Sequence, residues 1–334
     1  MIHTIWYVGG KSAGHIIPLV TLARQRPQDA ALFITTHREL DKKIINDARL
    51  TSAHVPLYVP DIQLKKFWLY PWHAIVWLGA FVRLGVLFFK TRPHKVVSTG
   101  GLSAVPVFLV ARCFSVPCEL FELNAMPGNA VTFLAPLSNK IYHCYESALH
   151  SINHKATFYR PYPIRKLETL SVHQARSSLE LDPTKKTICF LGGSQGSRFI
   201  NHVALKVVAQ LPAGAIQVVH QAGTADAARL MAWYQEHGIA AFVVDYHKQI
   251  ERLYRAADLV VCRAGAGTLW ELEYLNIPTI IIPLETATTD HQLHNAQALC
   301  QQKPQQFILL RQHDAQSTLE RIISFLGELT CTNG

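Results

Sequence analysis

Three glycine-bearing clusters in this 334-residue chain have the makings of an anion cradle. Val8-Gly9-Gly10-Lys11-Ser12-Ala13-Gly14-His15 leads into the helical-looking Ile16–Arg24, and Leu191-Gly192-Gly193-Ser194-Gln195-Gly196-Ser197 leads into Phe199–Gln210. Glycine there permits positive φ and lets the backbone close on a ligand. The following helix offers free N–H groups and a partial positive charge. Neither turn has the G-x-G-x-x-G pattern or the Lys-Ser/Thr ending of a P-loop. A plain strand-to-helix turn is therefore the competing reading, but two turns at matched positions in two similar halves favour a ligand. The third cluster, Cys262-Arg263-Ala264-Gly265-Ala266-Gly267-Thr268-Leu269-Trp270-Glu271, also opens a helix. Its small residues let the backbone approach a diphosphate and Thr268 supplies a hydroxyl. Glu271, one turn in, is a carboxylate able to accept two hydroxyls of a ribose; the plainer alternative is a first-turn acid favoured by the helix dipole. A fourth cluster, Asp290-His291-Gln292-Leu293-His294-Asn295-Ala296, puts Gln292 and Asn295 on one face of a helix start, where the alternative is simple solvation.

The elements that must carry these clusters are short apolar runs ended by glycine-rich or polar turns. They fall at Thr4–Val8, Ala31–Thr35, Lys95–Ser98, Cys118–Glu122, Lys140–Cys144 and Thr157–Arg160, and again at Thr187–Leu191, Ile216–His220, Ala241–Val244, Leu259–Cys262, Thr279–Ile282 and Phe307–Leu310. Helix-length segments between most of them predict parallel sheets of βαβ units. Two runs of strands separated by Arg160-Pro161-Tyr162-Pro163 predict two domains, 1–161 and 162–312, followed by a C-terminal helix over 313–334 that packs back on the first domain.

Charge separates the same two halves. Residues 1–165 carry 18 Lys and Arg against 8 Asp and Glu, whereas 166–334 carry 14 against 15. No acid lies between Asp61 and Glu119, a stretch holding Lys65, Lys66, Arg83, Lys90, Arg92, Lys95 and Arg112. A basic lobe beside a neutral one predicts an anionic partner for the first lobe alone. Seven cysteines without a C-x-x-C pair exclude a disulfide scaffold and a ribbon-type zinc site. The 17 histidines show no His/Cys ligand set like those of zinc enzymes. Ile2–Val8 reads as a strand from the first residue, with no basic leader expected ahead of it. The longest apolar run, Ala74–Phe89, is too short and carries Arg83, which argues against a transmembrane helix and leaves membrane contact open.

The clusters resemble the sugar-nucleotide motifs of the MurG family, the peptidoglycan N-acetylglucosaminyltransferases of glycosyltransferase family 28. The resemblance rests on Gly192-Gly193-Ser194-Gln195-Gly196-Ser197, on Arg263-Ala264-Gly265-Ala266-Gly267-Thr268 with Glu271, and on Asp290-His291-Gln292 with Asn295-Ala296. Gly9-Gly10 with Gly14-His15 and Pro18, Thr99-Gly100-Gly101-Leu102-Ser103, and Glu122-Leu123-Asn124 are similar to its N-terminal loops. The resemblance implies a GT-B fold, two Rossmann-like α/β domains facing a cleft, with UDP-GlcNAc on the C-terminal domain and a lipid-linked acceptor, undecaprenyl-pyrophosphoryl-MurNAc-peptide (lipid I), on the N-terminal one. It implies inverting transfer of GlcNAc to the MurNAc C4 hydroxyl, giving lipid II. The chain departs from the family at Lys11-Ser12-Ala13, where the usual loop reads G-G-T-G-G-H, at Phe121, where a His usually precedes the Glu, at Tyr162 in the linker, and at Glu285–Thr289, which carries a small insertion.

The implied reaction needs a base for the attacking hydroxyl. His15 is the first choice and Glu122 the second. Gly14, His15, Gly100, Gly101 and Asn124 are the expected acceptor contacts. Arg165, Ser194, Gln195, Ala266, Gly267 and Thr268 are placed at the donor diphosphate, the main chain near His247 at uracil, Glu271 on the ribose, and His291 and Gln292 on the sugar. No metal and no organic cofactor is implied. The stretch from Leu64 to Lys95 mixes aromatics with basic residues, among them Lys65, Lys66, Phe67, Trp68 and Trp72. Aromatic and basic residues together suit a membrane interface, so a peripheral enzyme on an anionic, cytoplasmic membrane face is expected; a buried helix with a basic end is the alternative. Three rivals stand beside this reading: a GT-B transferase with another lipid or small-molecule acceptor, a UDP-GlcNAc 2-epimerase, and a nucleic-acid binder. The acid-free stretch argues against the second, the apolar setting of the basic residues against the third.

Overall fold

A computed structural model describes residues 3–10, 12–50, 52–60, 67–193, 195–212, 214–285, 290–314 and 319–324. Lys65, Lys66 and Ser194 lie outside them, as does the side chain of Phe67. The chain divides into two compact units, Met1–Arg165 and Lys166–Gly334, so the division falls four residues after the sequence-based boundary.

Among the described residues the first unit holds a seven-stranded parallel sheet in the order β3-β2-β1-β4-β5-β6-β7. Its strands are β1 (Thr4–Val8), β2 (Ala30–Thr35), β3 (Ser52–Pro56), β4 (Lys95–Ser98), β5 (Cys118–Glu122), β6 (Lys140–His143) and β7 (Thr157–Tyr159). The helices are α1 (Ala13–Arg24), α2 (Glu39–Asp47), α3 (Tyr70–Thr91), α4 (Ala104–Cys113) and α5 (Asn129–Leu134). The edge strand β3 escaped the sequence reading. Ser-Ala-His-Val-Pro is half polar and ends on a proline, which a sheet tolerates at an edge. Trp6, Val8, Ile34, Leu84, Phe108, Leu120 and Ile141 build the core.

The second unit repeats the scheme with a six-stranded parallel sheet, β10-β9-β8-β11-β12-β13. Its strands are β8 (Thr187–Leu191), β9 (Gln217–Gln221), β10 (Ala241–Val244), β11 (Leu259–Cys262), β12 (Thr279–Ile281) and β13 (Phe307–Leu309). The helices are α6 (Val172–Ser178), α7 (Arg198–Val208), α8 (Ala227–Glu236), α9 (Ile250–Ala256), α10 (Ala266–Leu275) and α11 (His291–Gln302). Residues 319–324 are helical. Leu319 and Ile322 are buried in the second unit's core with Ile188, Phe190, Val218 and Val261, which corrects the expectation for this turn of the C-terminal helix: it joins the second unit.

Candidate active site

In an open parallel sheet the ligand crevice lies beyond the carboxyl ends of the strands, where the strand order reverses. In the first unit the chain runs outward from β1 to β2 and β3 and returns to β4 on the other side of β1, so the reversal lies between β1 and β4. Gly9 follows β1 there. A Cβ at Gly9 would stand 2.8 Å from Leu19 Cδ1 and 3.0 Å from Thr99 Oγ1, so a larger residue would have to displace those side-chain ends where the loop after β1 meets the loop after β4. Gly100 and Gly101 follow β4 at φ 88° and 90°, a left-handed pair that glycine adopts without penalty.

His15 is held across this reversal. Its Nδ1 is 3.0 Å from the Thr99 carbonyl, and Thr99 Oγ1 donates to the His15 carbonyl at 3.0 Å. A carbonyl only accepts, so Nδ1 carries a proton, and the neutral tautomer compatible with this contact has its lone pair on Nε2, the form a general base needs. Glu122 ends β5, the next strand, and is 2% exposed. Its Oε1 accepts from the Asn124 main-chain N–H (2.7 Å) and from Asn124 Nδ2 (3.1 Å), while Oε2 is buried with no partner among the described residues. Burial pushes its pKa up to about 7, against the lowering pull of the hydrogen bonds. Asn124, expected as an acceptor contact, thus spends its amide on holding this carboxylate. Gly14, in the first turn of α1, is exposed.

In the second unit the order reverses between β8 and β11, where the second and third glycine clusters meet. Gly193 and Gly196 have φ 84° and 75°. A Cβ on Gly196 would stand 2.3 Å from the Ala222 carbonyl, so this turn is packed hard against the end of β9. Gln195 is exposed at its tip. Ser197 caps α7 by accepting from the Ile200 N–H. Ala266, Gly267 and Thr268 form the half-buried first turn of α10.

Arg263, absent from the predicted site, joins these loops. Its Nε donates to Ser197 Oγ (3.0 Å), and one terminal nitrogen donates to the Ile282 and Pro283 carbonyls (3.1 Å each). Burial lowers its pKa to about 10, which leaves it a cation at neutral pH. The readable signal was a cation inside a small-residue cluster at the end of an apolar strand. Gln292 Oε1 accepts from Ala264 N–H (3.2 Å) and Leu284 N–H (2.9 Å), so a sugar contact by Gln292 is confined to its Nε2 donors. Glu271 is buried and accepts from the Tyr254 hydroxyl at 3.0 Å, which orients the carboxylate from the second turn of α9. The His247 N–H donates to Gln221 Oε1 (3.1 Å), so its main-chain N–H is already engaged, and His247 Nδ1 is buried without a partner among the described residues. His291 opens α11 half-buried, and Arg165, expected on the donor side, is the last residue of the first unit.

The predicted membrane stretch forms α3, which has 22 residues, longer than the 16-residue apolar run. It is long and apolar enough to cross a membrane by length and composition, with mean hydropathy 1.7 over 18 residues. Both of its flanking strands belong to one sheet, and it packs back on that sheet. Ala80 and Leu84 are in the core, with Trp77, Phe81, Leu87 and Phe88 against it. Trp6 Nε1 donates to Thr91 Oγ1 at 3.0 Å, tying the end of α3 to β1. Trp72, Ile75, Leu78, Val82, Val86 and Phe89 line the outer face, each half or more exposed. Part of the helix is therefore core, as its all-round apolarity requires, and part is an exposed apolar stripe at helical spacing.

The pattern of the glycosyltransferase family 28 N-terminal domain matches residues 5–143, and that of the family 28 C-terminal domain matches 187–328. The chain belongs to glycosyltransferase family 28. It is 30% identical over 297 residues to the UDP-N-acetylglucosamine–N-acetylmuramyl-(pentapeptide) pyrophosphoryl-undecaprenol N-acetylglucosamine transferase of Sulfurimonas denitrificans, covering 86% of this chain and 81% of that one. The protein of the same name from Campylobacter jejuni is 34% identical over 256 residues, 74% of this chain and 70% of its own. The crystal structure of Acinetobacter baumannii MurG superposes with a TM-score of 0.72 at 18% identity, covering 98% and 91%. The glycosyltransferase SnogD of Streptomyces nogalater reaches 0.67 at 17%, covering 94% and 88%. These two likenesses establish the GT-B fold. The family 28 chain is thus a glycosyltransferase whose two halves match the family's two domains in order.

Proposed function

We propose that this family 28 enzyme transfers GlcNAc from UDP-GlcNAc to the MurNAc C4 hydroxyl of undecaprenyl-pyrophosphoryl-MurNAc-pentapeptide, giving lipid II. One observation carries this: the regions aligned with transferases of that name supply a glycine turn at the strand-order reversal of each sheet. The C4 oxygen attacks the anomeric carbon and the new C–O bond forms as the bond to the diphosphate breaks. The electron pair leaves with UDP and the centre inverts. His15 Nε2 takes the hydroxyl proton. What supports His15 over Glu122 is the Nδ1 contact to Thr99 and a ring less buried than the carboxylate. Glu122 we assign to holding the Asn124 loop. Main-chain N–H groups of the turns before α7 and α10, with Ser194, Thr268 and Arg165, stabilise the leaving diphosphate; no metal ion or organic cofactor takes part.

The enzyme sits on the cytoplasmic membrane face through the outer stripe of α3, with Lys65, Lys66, Arg83 and Lys90 attracting anionic lipid. An exposed apolar stripe on a helix whose other side is core suits a helix lying in the interface plane. Incubation with UDP-[GlcNAc] and lipid I tests the reaction: labelled lipid II is expected. UDP-GlcNAc binding without transfer to lipid I would favour a transferase with another acceptor, as the altered first loop and Phe121 allow.

A further inference from the structure

We propose that Gln221 is a positioning residue that couples the diphosphate and base halves of the donor site. Gln221 is the last residue of β9, a strand flanked by β8 and β10 and buried along its whole length. A buried amide must be hydrogen-bonded at both ends, and here each end serves a different loop. Nε2 donates to the Gly193 carbonyl at 3.1 Å, in the turn after β8. Oε1 accepts from the His247 N–H at 3.1 Å, in the loop between β10 and α9. The same Gly193 carbonyl accepts the Gly196 N–H at 3.2 Å, so the amide is anchored on the bond that closes the glycine turn.

The geometry calls for this residue type. Adjacent strands lie about 4.8 Å apart, which puts β8 and β10 roughly 10 Å from each other, beyond any direct hydrogen bond. A side chain from the strand between them is the shortest tie. It needs a donor at one tip atom and an acceptor at the other. Ionised glutamate lacks the donor, methionine lacks the donor and offers only a weak sulfur acceptor, and asparagine is a methylene short. This inference rests on the donor reading above, in which the turn after β8 meets the diphosphate and the loop before α9 meets uracil. A ligand that orders one loop then orders the other through Gln221, and the effect is reciprocal. UDP should therefore gain affinity beyond that of its separate parts.

The test uses the full chain as wild type, Gln221→Met and Gln221→Glu, with binding of UDP, uridine and inorganic pyrophosphate measured by calorimetry beside steady-state kinetics. Losing two buried hydrogen bonds should raise the Kd for UDP about tenfold or more in Gln221→Met, while uridine and pyrophosphate alone shift by no more than about twofold because coupling, not either contact, is lost. The donor KM should rise by the same factor as the UDP Kd, with kcat and the acceptor KM little changed. Gln221→Glu should regain UDP affinity relative to wild type as pH falls, because its protonated carboxyl can donate to Gly193. If Gln221→Met does not fold, Gln221→Asn supplies the same comparison. Wild type that fails to bind UDP would overturn the donor reading itself. Wild type that binds UDP no better than either Gln221 variant overturns the strut alone, as does a variant that weakens uridine and UDP equally.

Discussion

His15 lies in the first turn of α1 and Glu122 ends β5, and the fold treats them differently. The Thr99 contact gives His15 a defined tautomer with its lone pair on Nε2. His15→Ala should lower kcat by about 10²–10⁴-fold, the usual worth of a general base, and leave UDP affinity unchanged by calorimetry. Glu122 is raised to about 7 by burial, so the native state favours the protonated acid. Its contribution to stability is complete below the ordinary carboxylate pKa and is lost as pH rises through about 7. Glu122→Gln, which cannot ionise, should match wild type near pH 4 and exceed it at pH 8 by roughly 3 kcal/mol. Urea unfolding at the two pH values measures the difference; equal curves at pH 8 would show that the carboxylate is not destabilised by burial. His15 was legible because it closes a glycine loop, and Glu122 because Glu122-Leu123-Asn124 resembles a family loop. Arg263 and Gln221 were not singled out, because their importance lies in which carbonyls and amides they reach, and those come from strands distant in sequence.

At the scale of the element, the turn before α7 and the helix α3 each show two faces. Gly193 and Gly196 both have left-handed φ, but an added Cβ meets open space at Gly193 and the Ala222 carbonyl at Gly196. Gly193→Ala should therefore cost only about 1–2 kcal/mol of left-handed strain, whereas Gly196→Ala must displace backbone and should cost several-fold more; thermal melts of the pair give the contrast. On α3, Leu84 is fully buried and Leu78 is 65% exposed. Leu84→Ala should destabilise by about 2–5 kcal/mol. Leu78→Ser should leave the melting temperature unchanged and reduce sedimentation with anionic liposomes. Undiminished sedimentation when Trp72, Ile75, Leu78 and Val82 are all changed to Ser would remove α3 from the membrane face. The extent of α3 exceeded its apolar run because Tyr70-Pro71 at the start and Lys90-Thr91 at the end extend the helix without being strongly apolar. The sequence period could place apolar residues on every side of this helix, but only the sheet beneath it decides which side is core.

Over the whole molecule, charge and topology divide the labour. The positive surplus lies in the first unit, and the second is close to neutral. Vesicle binding should consequently weaken as salt rises from about 0.05 to 0.5 M, since exposed charges are screened within a Debye length of about 10 Å at 0.1 M; UDP binding, if main-chain N–H groups carry it as proposed, should depend on salt far less. Apolar runs and turn residues determined by themselves that there are two parallel α/β domains, roughly where every strand but the edge strand β3 lies, and where the glycine turns fall, because periodicity and positive φ are local properties of the chain. Only the tertiary structure decided that those turns lie at the strand-order reversals, that Arg263 and Gln221 tie the turn after β8 to neighbouring loops, that Glu122 is buried with its pKa raised to about 7, and that α3 turns a stripe of apolar side chains outward. Each of these depends on packing between segments far apart in sequence, where burial and hydrogen-bond partners are fixed by neighbours that no local pattern names.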